Sequence, residues 1–167
     1  LNQEIRIKRG LSYGTRSGLG VRLDTGVFTA SAQTRNDAAL EVADLILAEL
    51  TRLATTRPTE SEMTTRQAIL TGAFGSSLET VDGLGSLVAS LALYDLPMSE
   101  LAAYAGRVRA ITPEQVQAAF AEHLPTSDAS LVIVGDASIF LEGLRAKYPN
   151  VQVVPLSSLN IDSATLR

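Results

Sequence analysis

The chain has no cysteine and only one histidine among its 167 residues. The absence of cysteine excludes thiol catalysis, structural disulfides and thiolate metal sites. It leaves the compartment open, because a protein without cysteine is compatible with oxidising and with reducing surroundings. Long apolar runs are also missing. None reaches the roughly 18 residues that cross a bilayer, so we expect no membrane span.

Positive charge is in short supply, with 14 Lys and Arg against 18 Asp and Glu, a net charge of −4 and a pI of about 5.0. General nucleic-acid binding needs a basic surface that displaces phosphate counterions, so we expect no nucleic-acid partner. The basic run in "EIRIKRGLSYG" (residues 4–14) is therefore a local feature. Lys8 and Arg9 suit the C-terminal pole of a helix, and Gly10 suits the left-handed position after it.

The single histidine, His123, is a weak basis for a metal site. A zinc site needs roughly three protein ligands, commonly with more than one histidine, and no HxxEH or HExxH pair occurs. We expect no metal in this chain, with His123 as a surface or boundary residue near a helix end. Counting residues does not exclude a Ser-His-Asp triad, although no G-x-S-x-G motif supports one.

The order of the predicted elements is α-β-β-α-α-α-α-β-α-β. Clustered hairpin strands followed by clustered helices indicate an α+β fold, an antiparallel sheet with helices packed on one face, in a single domain over residues 1–167. The predicted strands are a hairpin within residues 11–34 that turns through Asp24–Gly26, a buried strand in "ASLVIVGD" and a last short strand in "NVQVVPL".

Several helix boundaries follow from capping patterns. Asn36 or Asp37 can cap the helix after the hairpin, and the glycines at 83 and 85 predict an interruption of a later helix. Capping boxes occur at Thr59 with Glu62 and at Thr112 with Gln115. We interpret Glu60 and Glu62 as partners of the helix pole, and Asp136 or Ser138 as the cap of a strand-to-helix turn, rather than as catalytic or ligand groups.

Arg6 and Tyr13 are the remaining candidates for chemistry. Arg6 lies in the last turn of the first helix, and Tyr13 begins the strand after the Gly10 turn, so the two side chains can meet. Arginine offers fixed donors and a permanent charge, and tyrosine donates one hydrogen bond. Both suit a carbonyl oxygen that gains negative charge, and neither can activate water. The residues alone favour a simpler interpretation, a strand-forming tyrosine and a surface arginine matched to the helix dipole.

"LNQEIRIKRGLSYG" resembles a segment of the pitrilysin/insulinase-type (M16) zinc peptidases, the group that includes the mitochondrial processing peptidase subunits. There a helix ending in L-x-x-x-I-R leads through R/K-G-L-x-Y into a strand. Similar motifs follow in order along nearly the whole chain: "TRNDAALEVADLILAEL", "RPTESEM", "LTGAFGSSLET", "ITPEQVQAAFAEHL" and "LVIVGD".

The resemblance implies an architecture of two similar α+β halves that clamp a peptide. One half binds zinc through HxxEH and a distal glutamate. The other carries an arginine and a tyrosine seven positions apart, which bind substrate and polarise the scissile carbonyl, and Arg6 and Tyr13 match these positions. The chain resembles that second, C-terminal half. By itself it is then neither a zinc binder nor a peptidase, and zinc is expected in a partner half on the same polypeptide or a separate subunit.

Such halves usually begin with strands and a helix before the segment "LNQEIR", so we expect an N-terminally truncated domain. An unpaired sheet edge would then let the fragment swap elements or form a homodimer. A bacterial periplasm or cytoplasm is the expected location, with the compartment left open. Two alternatives remain: an inactive family member that acts as a scaffold or partner subunit, and an unrelated α+β binding module, which a separation of Arg6 from Tyr13 would favour.

Overall fold

The computed structural model describes residues 1–160 and 162–165. In this part of the chain the fold is α+β, as predicted, with six α-helices and one two-stranded antiparallel sheet. Short helical turns occur at Gln3–Ile7, Asn36–Ala38, Thr126–Asp128 and Leu156–Ser158. The longer elements are, in chain order, β1 (Thr15–Val21), β2 (Gly26–Ala32), α1 (Ala39–Thr55), α2 (Glu60–Leu78), α3 (Val81–Leu93), α4 (Ser99–Ala110), α5 (Pro113–His123) and α6 (Ala137–Lys147).

The β1–β2 hairpin is the predicted one. Its register runs from Thr15 opposite Ala32 to Val21 opposite Gly26, and the turn is closed by a hydrogen bond from Arg22 N to Thr25 O of 2.9 Å. Because side chains alternate across a strand, one face of the hairpin carries Phe28. The Phe28 ring packs edge-on against Phe120 of α5, with centroids 6.0 Å apart. This contact holds the helices on one face of the hairpin.

Helix α1 is the centre of the molecule. It contacts the Gln3–Ile7 turn, β2, α5 and α6. Gly143 lets α6 approach closely, since a Cβ there would lie 2.6 Å from Leu40 Cδ1. The core around α1 is small, and its buried apolar side chains are Ile5, Ala38, Ala39, Val42, Ala43, Val108 and Phe140.

Three of the predicted caps are present. The capping boxes of Thr59 with Glu62 and of Thr112 with Gln115 both form, and Pro113 occupies the first turn of α5. Asp136 caps α6, with its carboxylate accepting from Ser138 N at 3.1 Å. The hydroxyl of Ser138 and then its backbone N–H lower the pKa of Asp136 below its ordinary value. These polar residues are therefore accounted for by helix starts.

The predicted cap of α1 is wrong. Its N-cap is Ala38, with no side-chain hydrogen bond, because a 3₁₀ turn precedes the helix. The Asn36 side chain instead accepts from Asp136 N at 3.3 Å, and Asp37 accepts from Arg35 Nε at 3.1 Å. Both candidate caps are thus engaged elsewhere.

The predicted interruption of a helix at Gly83 and Gly85 is also wrong, because α3 runs unbroken from Val81 to Leu93. Gly83 serves the tight junction between α2 and α3. A Cβ at this position would lie 2.2 Å from the backbone oxygen of Ser77, so the two chain segments approach too closely for any other residue. Thr80 caps α3 by accepting from Gly83 N at 3.1 Å.

Two predicted strands are not present as strands. Residues 130–134 of "ASLVIVGD" have no strand partner in the described part of the chain, and Val132 and Val134 are 81% and 94% exposed. The "NVQVVPL" segment is likewise unpaired and leads into the Leu156–Ser158 turn. The apolar, β-branched composition is suited to a sheet interior, but pairing needs a neighbouring strand edge, and the hairpin does not reach these segments.

Helices α2, α3 and α4 form a separate layer around an apolar groove of about 380 Å³. Within it the rings of Phe74 and Tyr104 stack, with centroids 4.2 Å apart. The Gln67 side chain ties α2 to the end of α4, donating to Ile111 O at 3.1 Å. The whole chain exposes 12040 Å², against about 8,000 Å² for a compact monomer of 17.7 kDa. The molecule thus leaves an unusually large surface uncovered.

Candidate functional site

The turn Gln3–Ile7 supports the candidate site. It is a single π-helical turn in which Lys8 N donates to Gln3 O at 3.0 Å. Ile5 is fully buried and anchors the turn against the core. The Asn2 side chain joins this turn to β1, because its Oδ1 accepts from Thr15 N at 2.9 Å and from Thr15 Oγ1 at 3.1 Å. With Ile5 facing inwards, the neighbouring Arg6 faces solvent.

Gly10 reverses the chain after this turn. Its φ of 63° lies in the left-handed region, as predicted, and its N–H donates to Arg6 O at 3.0 Å. Leu11 N then donates to Ile5 O at 3.0 Å, so the chain folds back along the turn. Ser12, which is buried, donates through Oγ to Gly14 O at 2.7 Å and shapes the bend that carries Tyr13.

The reversal brings Arg6 and Tyr13 together, as the sequence predicted. The guanidinium carbon of Arg6 lies 5.2 Å from the centroid of the Tyr13 ring, which is the geometry of a cation–π contact. Tyr13 is 90% exposed, so its hydroxyl is open to solvent and to ligands. Such a contact is worth roughly 0.5–1 kcal/mol at an exposed position. The pair therefore presents a phenol and a guanidinium side by side on the surface.

Lys8 and Arg9 belong to a different cluster from Arg6. Both bind Glu4, Lys8 through Nζ and Arg9 through Nη1 at 2.9 Å. The hydrogen bond from Lys8, and then that from Arg9, lower the pKa of Glu4 below its ordinary value. These two cations thus stabilise the helical turn, and Arg6 is the basic residue of "RIKR" that is left for the site.

A shallow cavity of about 340 Å³ adjoins Tyr13. Residues 10–13 line one side and residues 33–35 the other, where the chain enters β1 and leaves β2. A hydrogen bond of 2.5 Å from Thr34 Oγ1 to Leu11 O joins the two sides. Gln33 and Arg35 are the long polar residues among those that line the cavity. The sequence analysis missed both residues, because only the hairpin register brings them next to Tyr13.

The outer edge of β1 begins two residues after Tyr13. Thr15 N donates away from β2, to Asn2, so the backbone groups of residues 15, 17, 19 and 21 point outwards. The hydroxyl of Tyr94 accordingly donates to Val21 O at 3.0 Å at the far end. Between these two contacts, no strand pairs with the outer edge at Ser17 and Leu19 in the described residues.

The other residues considered from the sequence lie apart from this site. His123 is the last residue of α5, exposed, with the nearest carboxylate oxygen, that of Glu122, at 3.9 Å. Within residues 1–160 and 162–165, no cluster of three or more histidine, cysteine, aspartate or glutamate side chains could hold a metal ion. Nor does any helix in that part of the chain have the length and apolarity to cross a membrane.

Two comparisons with known proteins found similarities to this chain. Residues 1–70 match the family described as the peptidase M16 inactive domain. A crystal structure of a peptidase M16 inactive domain from Pseudomonas fluorescens is similar over 74% of this chain, with 29% sequence identity and a TM-score of 0.68. This chain spans 29% of the length of that solved chain. No curated protein matches significantly. Both similarities agree with the resemblance inferred from the sequence, and the chain is similar to peptidase M16 inactive domains.

Proposed function

We propose that this domain is the substrate-contacting half of a zinc-dependent M16 peptidase, in which Arg6 and Tyr13 bind a peptide and polarise its scissile carbonyl. The observation that carries the proposal is the contact between the Arg6 guanidinium and the exposed Tyr13 ring at 5.2 Å. Lys8 and Arg9, by contrast, are both engaged by Glu4.

The two side chains have complementary tasks in this proposal. The Tyr13 hydroxyl donates a hydrogen bond to the carbonyl oxygen, and the Arg6 guanidinium adds a fixed positive charge as that oxygen becomes negative. The cation–π contact restricts both side chains before the substrate arrives, which lowers the entropy lost on binding. Their role is to stabilise charge and to orient the peptide, since neither group accepts a proton from water.

The outer edge of β1 offers a place for the peptide backbone. An extended peptide can add as a strand to an unpaired edge and gain main-chain hydrogen bonds independent of its side chains. Ser17 and Leu19 present outward backbone groups there, and Gly18 between them adds no side chain. In this proposal a peptide that pairs with this edge runs on towards Tyr13, two residues before β1, past the Asn2 side chain that accepts from Thr15 N.

The catalytic metal is assigned to another half of the peptidase. The donor set of this chain does not fit zinc, because it has one histidine, no cysteine and no suitable acidic cluster in the described residues. Zinc in the partner half would activate the attacking water. The large exposed surface, about half as much again as a compact monomer of this mass, supports a partner that covers part of it.

The test is the turnover of the complete peptidase, in which this domain works with its zinc-bearing half. Tyr13→Phe removes one hydroxyl and keeps the ring on which Arg6 stacks. We expect kcat to fall by roughly 10²-fold or more, as when one oxyanion donor is removed, with the zinc content unchanged. Tyr104→Phe is the matched control, because it removes a hydroxyl from the α2–α4 groove.

Unchanged turnover in Tyr13→Phe would rule out the proposed role of the hydroxyl. If the intact protein has no zinc-bearing half and no peptidase activity, the alternative applies, and the domain is a scaffold or partner subunit. The cation–π contact argues against the third possibility, an unrelated module in which Arg6 and Tyr13 lie apart.

A further inference from the structure

We propose that the cavity beside Tyr13 selects an acidic side chain of the bound peptide and that Arg35 binds its carboxylate. The inference rests on the proposed function, because it takes the peptide to lie at Tyr13. It adds a substrate class to that function: peptides with aspartate or glutamate next to the peptide group that Tyr13 contacts.

The charge distribution along the chain supports an anionic partner at this place. Residues 1–35 hold six Lys and Arg and two Asp and Glu, a net charge of +4, although the whole chain carries −4. Within residues 1–35 the ion pairs join the N-terminal amine to Glu49, Lys8 and Arg9 to Glu4, and Arg35 to Asp37. None of the ion pairs of the described residues includes Arg6 or Arg16. The hairpin end is thus locally basic within an acidic protein.

Arg35 is the cation that lines the cavity. Arg6 contacts the ring of Tyr13, another lining residue, at 5.2 Å. Arg16 lies opposite Ser31, on the second rung from the open end of the hairpin. A carboxylate bound by Arg35 therefore lies in the basic part of the chain.

The donors of the cavity also fit a carboxylate. Asp37 accepts from Arg35 Nε at 3.1 Å. The two terminal nitrogens of the Arg35 guanidinium make no hydrogen bond within the described part of the chain. Two parallel donors of this kind match the two oxygens of a carboxylate. The amide of Gln33 lies on the same side of the cavity and supplies a neutral donor. The hydroxyls of Ser12 and Thr34 are already bonded to backbone oxygens.

Asp37 competes with a peptide carboxylate for Arg35, because it already forms an ion pair with the guanidinium. Asp37 lies in the 3₁₀ turn Asn36–Ala38, and its carboxylate accepts from Arg35 Nε, which leaves the terminal nitrogens of the guanidinium to a ligand. Removing Asp37 should strengthen the recognition of an acidic peptide, whereas removing Arg35 should abolish it. A general attraction to a basic surface predicts the same two signs, so a control arginine elsewhere on the surface is needed to distinguish it from recognition by Arg35.

The experiment measures binding of blocked, fluorescein-labelled peptides to the full 167-residue chain by fluorescence anisotropy. The peptides form pairs that differ only in having Glu or Gln at one position, and this position is varied along the peptide from pair to pair. A third form of each peptide has Gln at that position and an unblocked carboxy terminus. At low ionic strength we expect one Glu peptide to bind about two- to fivefold more tightly than its Gln counterpart, the range of an exposed ion pair. The preference should shrink at 1 M salt.

Arg35→Gln should cancel the preference for Glu, and Asp37→Asn should increase it. Arg57→Gln is the matched control, because Arg57 is 63% exposed against 69% for Arg35 and is also paired with one exposed carboxylate, Glu114. Equal binding of the Glu and Gln peptides, or a preference that survives Arg35→Gln, would overturn this inference alone. A preference for the free carboxy terminus would contradict the assignment to an internal side chain. Failure of every peptide to bind would count against the proposed function itself.

Discussion

Replacement of Ile5 by alanine tests whether the site depends on the small core beneath it. Ile5 is fully buried, and it anchors the turn that carries Arg6. Ile7, two residues further on, is 64% exposed and contributes to the same turn. Ile7→Ala is therefore a matched control with the same change of side chain and a different burial.

The expected loss for Ile5→Ala follows from the buried volume. The substitution removes three carbon atoms, and about 0.8 kcal/mol per buried methylene gives about 2.4 kcal/mol before any cavity contribution. Adding the cavity left in a partly rigid core raises the expected loss to about 3 kcal/mol. For Ile7→Ala we expect less than about 1 kcal/mol, because most of its side chain is already in water.

The assay is urea unfolding followed by far-ultraviolet circular dichroism, with the free energy of unfolding extrapolated to water. Total stabilities of about 5–15 kcal/mol are typical of folded domains, so a loss of about 3 kcal/mol would remove between about a fifth and three fifths of the total. Ile5→Val, which removes one carbon and should cost about 1 kcal/mol, keeps the comparison measurable. Equal losses at the two positions would refute the claim that Ile5 anchors the turn.

Two further predictions concern the backbone and the pH dependence of stability. Gly10→Ala should destabilise the protein by about 1 kcal/mol, because the φ of Gly10 is 63°. Gly14→Ala is the control: the added Cβ meets nothing within 4 Å at either position, so this variant should change the stability little. Equal urea midpoints for the two variants would contradict this strain argument. The hydrogen bond from Thr59 N lowers the pKa of Glu62 below its ordinary value of 4.5. The charged carboxylate therefore stabilises α2 above about pH 4.5, and this stabilisation is lost as the pH falls through the pKa of Glu62 in the folded protein. The free energy of unfolding should therefore be larger for the wild type than for Glu62→Gln at pH 7, and this difference should disappear below about pH 4.5. A difference that stays constant in urea titrations across this pH range would contradict the charge effect.

Features set by neighbouring residues could be predicted from the sequence. The capping boxes at Thr59 and Thr112 involve side chains three residues from their partners, and both form. The left-handed Gly10 and the resulting contact between Arg6 and Tyr13 likewise depend on one short reversal. These local signals predicted the chain reversal and the contact between the two side chains, whereas the role of Arg6 and Tyr13 stays a prediction.

Features set by distant partners could not be predicted in the same way. Asn36 has a good capping side chain, yet it accepts from Asp136, which lies 100 residues away. Val132 and Val134 have the composition of a buried strand, but no strand edge reaches them in the described residues. Arg35 became a candidate only through the register of the hairpin, which places the residues after β2 beside Tyr13.

The proposed role of Arg6 and Tyr13 is tested most directly by a double-mutant cycle of Arg6→Gln and Tyr13→Phe, read as kcat/KM in the complete protein, for which we propose peptidase activity. If the two side chains act on the same carbonyl oxygen, the loss of kcat/KM in the double variant should be little larger than the loss in the more impaired of the two single variants. Zinc content should stay constant throughout the cycle. Strictly additive losses, or wild-type kcat/KM in both single variants, would contradict the claim that Arg6 and Tyr13 form one functional unit.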